Sequence, residues 1–253
     1  MSLRLMQERA FHDEQAYARA RSLRPTDYAF RSDDYLSHES WIAPALDALG
    51  DVRGQRLLDL GCGHGMASVV LARRGASVTA CDLSLGYVRE AQRRCEANGV
   101  DARLVVCDGE RLPFADASFD RIWGNAILHH LDLRVATGEL DRILAPDGIG
   151  VFCEPWAGNR WLALARATLP YPGKHRTIDE APLDSRGLDQ LRAMFPTLTV
   201  RGYQFLSMLG RVVKDRRLLA SLTRWDERLL RRWPHWQRYC RYVVVTVHKA
   251  ASR

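Results

Sequence analysis

The sequence has few cysteines, and they lie in no pattern typical of a metal site or a redox pair. The six cysteines form no C-x-x-C pair and no Cys/His cluster with zinc spacing, so the sequence predicts no bound metal. Most of them fall in predicted strands, where a free cysteine behaves as a small buried apolar residue. This usage favours a reducing, cytoplasmic location.

Long apolar runs and long runs of one charge are also lacking. No stretch of about 18 apolar residues occurs, so no transmembrane segment is predicted, and the charged residues 1–11 do not resemble a signal peptide. The formal net charge is +7, yet no basic run is long enough for a nucleic-acid arm. We expect a soluble cytoplasmic protein, monomeric or homodimeric, without a nucleic-acid partner. Its basic charge leaves peripheral contact with an acidic membrane surface open.

Strands and helices alternate from residue 56 onward, which predicts a parallel sheet. We expect a helical cap over 1–55 and an α/β domain over 56–253, with an insertion at 156–184. The predicted strands are 56–60, 77–81, 102–107, 121–126, 149–153, 198–205 and 241–248. The predicted helices are 7–21, 37–49, 65–74, 84–98, 132–144, 159–169, 185–194 and 210–233.

The most informative stretch is the glycine turn that follows the first predicted strand. Gly61, Gly63 and Gly65 alternate between an apolar strand and a helix, as in nucleotide-sized binding sites. A dinucleotide-binding turn, G-x-G-x-x-G, requires glycine where Met66 stands, and a P-loop requires Lys followed by Ser or Thr. Hydride transfer and phosphate binding at this turn are therefore disfavoured.

The Asp-x-Gly-x-Gly-x-Gly pattern resembles motif I of the class I S-adenosylmethionine (SAM) dependent methyltransferases, in particular their small-molecule branch. Further matches occur in family order, at Asp82, at the 112–114 and 118–120 turns, and at Leu128-His-His-Leu. The resemblance implies a doubly wound seven-stranded α/β sheet, mostly parallel with the last strand antiparallel, an N-terminal helical cap and a lid after strand five. A SAM-binding scaffold without catalysis is the alternative, although all the glycines and acidic strand ends are intact.

The resemblance also implies which residues hold SAM, whose product is S-adenosylhomocysteine, without a metal. An acidic strand end suits the cationic sulfonium and ammonium of SAM. Asp59 and the turn residues Gly61, Cys62 and Gly63 would hold the amino-acid end. The later strand ends would hold the rest of the ligand. Asp82 would accept from the ribose hydroxyls, and Leu83 would pack on the adenine. Asp108, beside Gly109, would accept from the adenine amino group, and Asn125 would line the methionine part.

The sequence indicates the acceptor side less clearly. His129 and His130 are candidate general bases, with a structural role as the alternative, and they mildly favour an oxygen of a small-molecule acceptor. Aromatic residues of the cap and polar residues after strand five are candidate acceptor contacts, with ordinary packing as the alternative: Tyr17, Tyr28, Tyr35, Glu154, Trp156, His175 and Arg176.

The arginine-rich stretch 210–233 has two interpretations. Its leucines and tryptophans at helical spacing favour packing against the sheet. The same composition also suits a helix that lies on a membrane surface. That second interpretation would make the acceptor a lipid or a precursor of an isoprenoid quinone.

Overall fold

Seven strands form one sheet in the order β3-β2-β1-β4-β5-β7-β6. The structure is a computed structural model that describes residues 3–159, 162, 181–211 and 215–251. β7 pairs antiparallel with β5 and β6, and the other pairs are parallel, which confirms the predicted fold. The strands are β1 Arg56–Leu60, β2 Ser77–Asp82, β3 Arg103–Val106, β4 Phe119–Asn125, β5 Leu144–Pro155, β6 Thr199–Tyr203 and β7 Tyr242–His248.

Eight α-helices are described around the sheet, and most lie where the sequence predicts them. They are α1 Leu3–Ser22, α2 Ser32–Leu36, α3 Ile42–Ala48, α4 Met66–Arg73, α5 Leu85–Ala97, α6 Leu133–Ile143, α7 Ser185–Met194 and α8 Arg216–Arg232. The predicted helix over 159–169 and most of the loop over 170–184, including His175 and Arg176, lie outside the described residues.

The helix predicted over 37–49 differs from the structure in its start. It begins at Ile42, which places Pro44 in the first turn, where its missing N–H breaks no hydrogen bond. The short helix α2 lies before this range and was not predicted. Helix α7 starts at the predicted residue and is capped by Asp184, whose side chain accepts from the Gly187 N–H.

The two faces of the sheet are covered by different helices. Leu57 belongs to the apolar cluster with α3 and α4, whereas the next residue, Leu58, belongs to the cluster with α6 and α7. Successive side chains of a strand point to opposite faces, so a strand buried on both sides reads as a continuous apolar run. This is why β1 was predictable at its observed bounds.

Helix α8 was expected to pack against the sheet. Its contacts are instead mainly with the 3₁₀ turns that flank it, Ser207–Arg211 and Pro234–Tyr239. Trp225 on this helix is 53% exposed. The buried Asp226 carboxylate accepts from the backbone of residues 205–207 and so fixes the helix to the preceding turn. Within the described residues, no helix is long and apolar enough to cross a membrane.

Candidate functional site

The parallel strands β1 to β4 bring their carboxyl ends to one edge of the sheet, and a cavity of about 220 Å³ opens there. Its floor comes from the ends of these strands and its roof from α1. Eight of the residues predicted for the site line it: Gly61, Gly63, Asp82, Leu83, Asp108, Gly109, Asn125 and His130.

The glycine turn is bonded to the end of β2. Gly61, Gly63 and Gly65 all have positive φ, at 66°, 49° and 79°, a conformation that glycine adopts without steric cost. The Gly63 N–H donates to Asp82 Oδ2 at 2.9 Å, and the Cys62 N–H donates to the Cys81 carbonyl at 2.9 Å. The turn and Asp82 are therefore held as one unit.

Asp82 presents to the cavity a carboxylate that is hydrogen-bonded to two backbone N–H groups. Its Oδ1 accepts from the Ser84 N–H at 2.8 Å, and its Oδ2 from Gly63. Burial raises the pKa of Asp82 above its ordinary value, while these two backbone hydrogen bonds lower it. Each carboxylate oxygen retains a lone pair for a further donor.

Asp59 lies below the turn rather than in the cavity wall. Its carboxyl group is buried and accepts from the Ser68 hydroxyl of α4 at 2.5 Å. Burial raises the pKa of Asp59 to about 7, against the lowering effect of the Ser68 hydrogen bond. Cys62 is likewise buried and does not line the cavity. Asp59 and Cys62 therefore affect the cavity indirectly, by stabilising the glycine turn that borders it.

Three polar atoms of cavity-lining residues are buried without a hydrogen-bond partner among the described residues. They are Asn125 Oδ1, His64 Nδ1 and His12 Nδ1. Burial lowers the pKa of His64 to about 4, so this imidazole is neutral at neutral pH. Buried polar groups are nearly always paired, so these three atoms are candidates for contacts with a polar ligand.

The roof of the cavity is helix α1, whose contribution was missed from the sequence. Leu5, Glu8, His12 and Gln15 line the cavity. Asp13 anchors the helix, because its carboxylate accepts from the Ser84 hydroxyl and the Gly86 N–H at the start of α5. Positions 8, 12 and 15 share one helix face, and this polar stripe is the sequence feature that could have indicated the role of α1.

The N-terminal end of α1 is held at the turns after β3 and β4. Arg4 pairs with Glu110, and its Nη1 donates to the His130 carbonyl at 2.7 Å. The C-terminal end of the helix is joined to α5 through the Arg19–Glu90 ion pair, with 2.9 Å between Nε and Oε1. Helix α1 thus crosses the strand ends and bonds to three of their loops.

The two neighbouring histidines have different environments. His129 is buried, and its Nδ1 lies 2.6 Å from Oε2 of the fully buried Glu154. The other oxygen of Glu154 accepts from the N–H groups of Ile127 and Leu128. His130 lines the cavity, and its Nδ1 lies 2.8 Å from Glu8 Oε1. Of these two neighbouring histidines, His130 is the one that lines the cavity.

The described residues predicted to contact the acceptor are not brought to this cavity. Tyr28 and Tyr35 are buried, the former beside Arg94 and the latter in the apolar core, and Tyr17 is exposed. Glu154 is occupied by His129, and the Trp156 indole N–H donates to the Arg238 carbonyl. Aromatic content alone did not distinguish core residues from site residues.

Comparison with known proteins shows which proteins this chain is similar to. A family model described as a methyltransferase domain matches residues 58–152. A demethylmenaquinone methyltransferase of Beutenbergia cavernae is 33% identical over 188 residues, covering 68% of this chain and 77% of that protein. A malonyl-[acyl-carrier protein] O-methyltransferase of Pseudescherichia vulneris is 42% identical over 115 residues, covering 45% of this chain and 44% of that protein.

Among solved structures, the SAM-dependent methyltransferase from Mesorhizobium loti superposes with a TM-score of 0.56 at 20% identity. The match covers 85% of this chain and 100% of that one. At this identity the similarity concerns the fold.

Proposed function

This chain belongs to the class I SAM-dependent methyltransferases, and from that premise we propose that it methylates a hydroxyl oxygen of a small-molecule acceptor. The observation that carries this proposal is the His130–Glu8 pair in the wall of the cavity. A hydroxyl keeps its proton at neutral pH, so its methylation gains from a base held at the site.

The residues of the cavity suit SAM. Its acidic floor, from Asp82 and Asp108, complements a cationic ligand, and the unpaired Asn125 Oδ1 supports a polar contact there. We assign the ribose hydroxyls to Asp82, the adenine amino group to Asp108 and the methionine part to Asn125. Asp59 supports the turn from below through Ser68. SAM supplies an activated methyl group whose departure leaves a neutral thioether, so the protein mainly has to align donor and acceptor and exclude water.

His130 is the proposed base. With the Nδ1 hydrogen donated to Glu8, the tautomer is fixed and Nε2 is left as the proton acceptor. His129 is a positioning residue in this proposal, since its bond to the buried Glu154 fixes the turn that carries His130. In this arrangement a carboxylate orients the histidine base, as in many enzymes that use a general base.

The test separates donor binding from proton removal. Asp82→Asn is expected to weaken calorimetric SAM affinity more than about tenfold, because a charged contact to the ribose is lost. Asp101→Asn, at an exposed position, is the matched control and is expected to bind SAM as the wild type does.

His130→Gln is expected to lower turnover with SAM affinity retained. Turnover is measured as S-adenosylhomocysteine release with a panel of phenols and hydroxyquinones. Unchanged SAM binding by Asp82→Asn contradicts the donor site, and full turnover by His130→Gln contradicts the base.

A second candidate is methylation of a lipid or quinone precursor at a membrane surface. The observation that favours it is the exposed apolar stripe of α8, which contains Leu218 and Trp225 beside several arginines. A relative of this chain is named a demethylmenaquinone methyltransferase. Both candidates use the same donor site, require no nucleic acid and are compatible with a monomer or homodimer.

A further inference from the structure

We propose that Glu8, His12 and His130 form a binding site for a divalent transition-metal ion, best suited to zinc, that joins α1 to the turn after β4. The sequence predicted no metal site, because the ligands are far apart along the chain. Methyl transfer does not need this ion, so the site goes beyond the proposed function and would regulate it.

The three side chains already lie close together. One potential ligand atom from each falls within 4.8 Å of the other two. Glu8 and His12 are one turn apart on α1, and His130 Nδ1 is 2.8 Å from Glu8 Oε1. Ligand atoms about 2.0–2.1 Å from a tetrahedral zinc ion are about 3.4 Å from one another. Small rotations of the side chains would therefore complete the geometry.

A second observation points to a ligand at the same place. His12 Nδ1 is buried and has no hydrogen-bond partner within the described part of the chain. An unpaired buried polar atom costs about 1–3 kcal/mol. The His12 ring is confined between the rings of Tyr87 and His130, with centroid distances of 6.0 and 5.5 Å. Metal coordination offers a partner for a group that the fold leaves unpaired.

The chemistry of the donor set favours zinc. Two imidazoles and one carboxylate form the ligand set of many zinc sites with an open fourth position, whereas magnesium and calcium prefer oxygen ligands. Asp82 and Asp108 line the same cavity and add negative charge. Arg4 is the opposing cation. Its Nη1 lies 3.6 Å from Glu8 Oε2, whereas Glu8 Oε1 faces His130 Nδ1 at 2.8 Å, so zinc would take the place of the proton between these two atoms.

A bound ion would connect the roof of the cavity to its wall. Helix α1 covers the cleft, and His130 lies on the opposite loop. Zinc would hold α1 closed and occupy the proposed base, so it is expected to act as a reversible inhibitor. This consequence rests on the proposed function, whereas the binding site itself does not.

Zinc titration of the full chain, without SAM or acceptor, tests the site. Competition with a chromophoric chelator is expected to give one tight site. The affinity should fall at least about 100-fold in His12→Ala and in Glu8→Gln, because loss of a direct ligand costs more than the roughly 10–100-fold cost of losing an outer-shell partner. Exposed His38→Ala is the matched control and is expected to retain the affinity. Circular dichroism checks that each variant is folded. Wild-type zinc affinity in both His12→Ala and Glu8→Gln would overturn the proposal.

Hydrogen exchange tests the link between α1 and the turn. Zinc is expected to slow amide exchange over residues 3–22 in the wild type and not in His12→Ala. Equal rates with and without zinc would overturn the closure of α1. Because neither measurement contains SAM, failure here is distinguishable from failure of the proposed methyl transfer.

Discussion

Asp59 is the residue whose chemistry depends most on its surroundings. A carboxyl at the end of a strand is expected to be ionised, yet this one is buried under the glycine turn, where it accepts from the hydroxyl and the backbone N–H of Ser68. Burial in a low-dielectric interior favours the neutral form and raises its pKa from 3.8 to about 7. The residue type was readable from the sequence, but its protonation state was not.

This shift predicts a pH-dependent stability. Because the folded-state pKa lies above the unfolded value, the native state binds more protons between about pH 4 and 7, and the free energy of unfolding falls as pH rises through that window. Asp59→Asn removes this contribution and keeps an acceptor for Ser68. The free energy of unfolding of Asp59→Asn minus that of the wild type is expected to rise with increasing pH between about pH 4 and 8, by up to about 4 kcal/mol. Urea unfolding of both proteins at several pH values measures this, and parallel pH profiles would contradict it.

At the level of the elements, the glycine turn combines two different requirements. A Cβ at Gly65 would lie 2.7 Å from the Ala91 Cα of α5, so this glycine permits close packing of α4 against α5. A Cβ at Gly63 meets no atom within 4 Å, and this residue lines the cavity. One glycine therefore serves packing and the other leaves space for the ligand.

The two alanine variants are expected to separate these roles. Gly65→Ala should lose about 3 kcal/mol of stability, from positive φ together with backbone overlap. Gly63→Ala should lose only about 1 kcal/mol but bind SAM more weakly, because its methyl group enters the cavity. Gly99→Ala is the control, with similar φ, open space and no contact with the cavity. Thermal unfolding and calorimetry measure both effects, and equal SAM affinity of Gly63→Ala and Gly99→Ala would contradict the assignment.

For the whole molecule, the unusual feature is a charged and apolar surface on α8. The helix has six arginines and two acidic residues. Leu218 and Trp225 are seven residues apart and lie on the same side, outside the face that buries Asp226 and Leu230. An amphipathic helix with tryptophan and leucine beside arginine is typical of proteins that bind at the surface of anionic membranes.

Vesicle sedimentation tests this surface. Binding to phosphatidylcholine vesicles that contain phosphatidylglycerol is expected, with loss at high salt, because the attraction is partly electrostatic. Trp225→Ala should reduce binding several-fold, whereas Met194→Ala, which removes a comparably exposed apolar side chain from α7, should not. An absence of binding, or equal binding by the two variants, would argue against the membrane-surface candidate.

The sheet and the floor of the candidate site could be predicted because their signals are local. The strands β1 to β3 are short and rich in apolar β-formers, and the glycines and acidic residues follow directly at their ends. Parallel pairing brings the carboxyl ends of these strands to one edge, so Asp82, Asp108 and Asn125 could be expected to lie together before their positions were known.

The roof of the site and the roles of the histidines could not be predicted in this way. The His130–Glu8 and His129–Glu154 pairs join residues from different elements, and nothing in the local pattern sets such distances. The packing of α1 across the strand ends placed Glu8 and His12 beside His130, and burial raised the pKa of Asp59. Local periodicity thus specifies the elements and the strand-end chemistry, whereas long-range packing decides which side chains meet and which remain ionised.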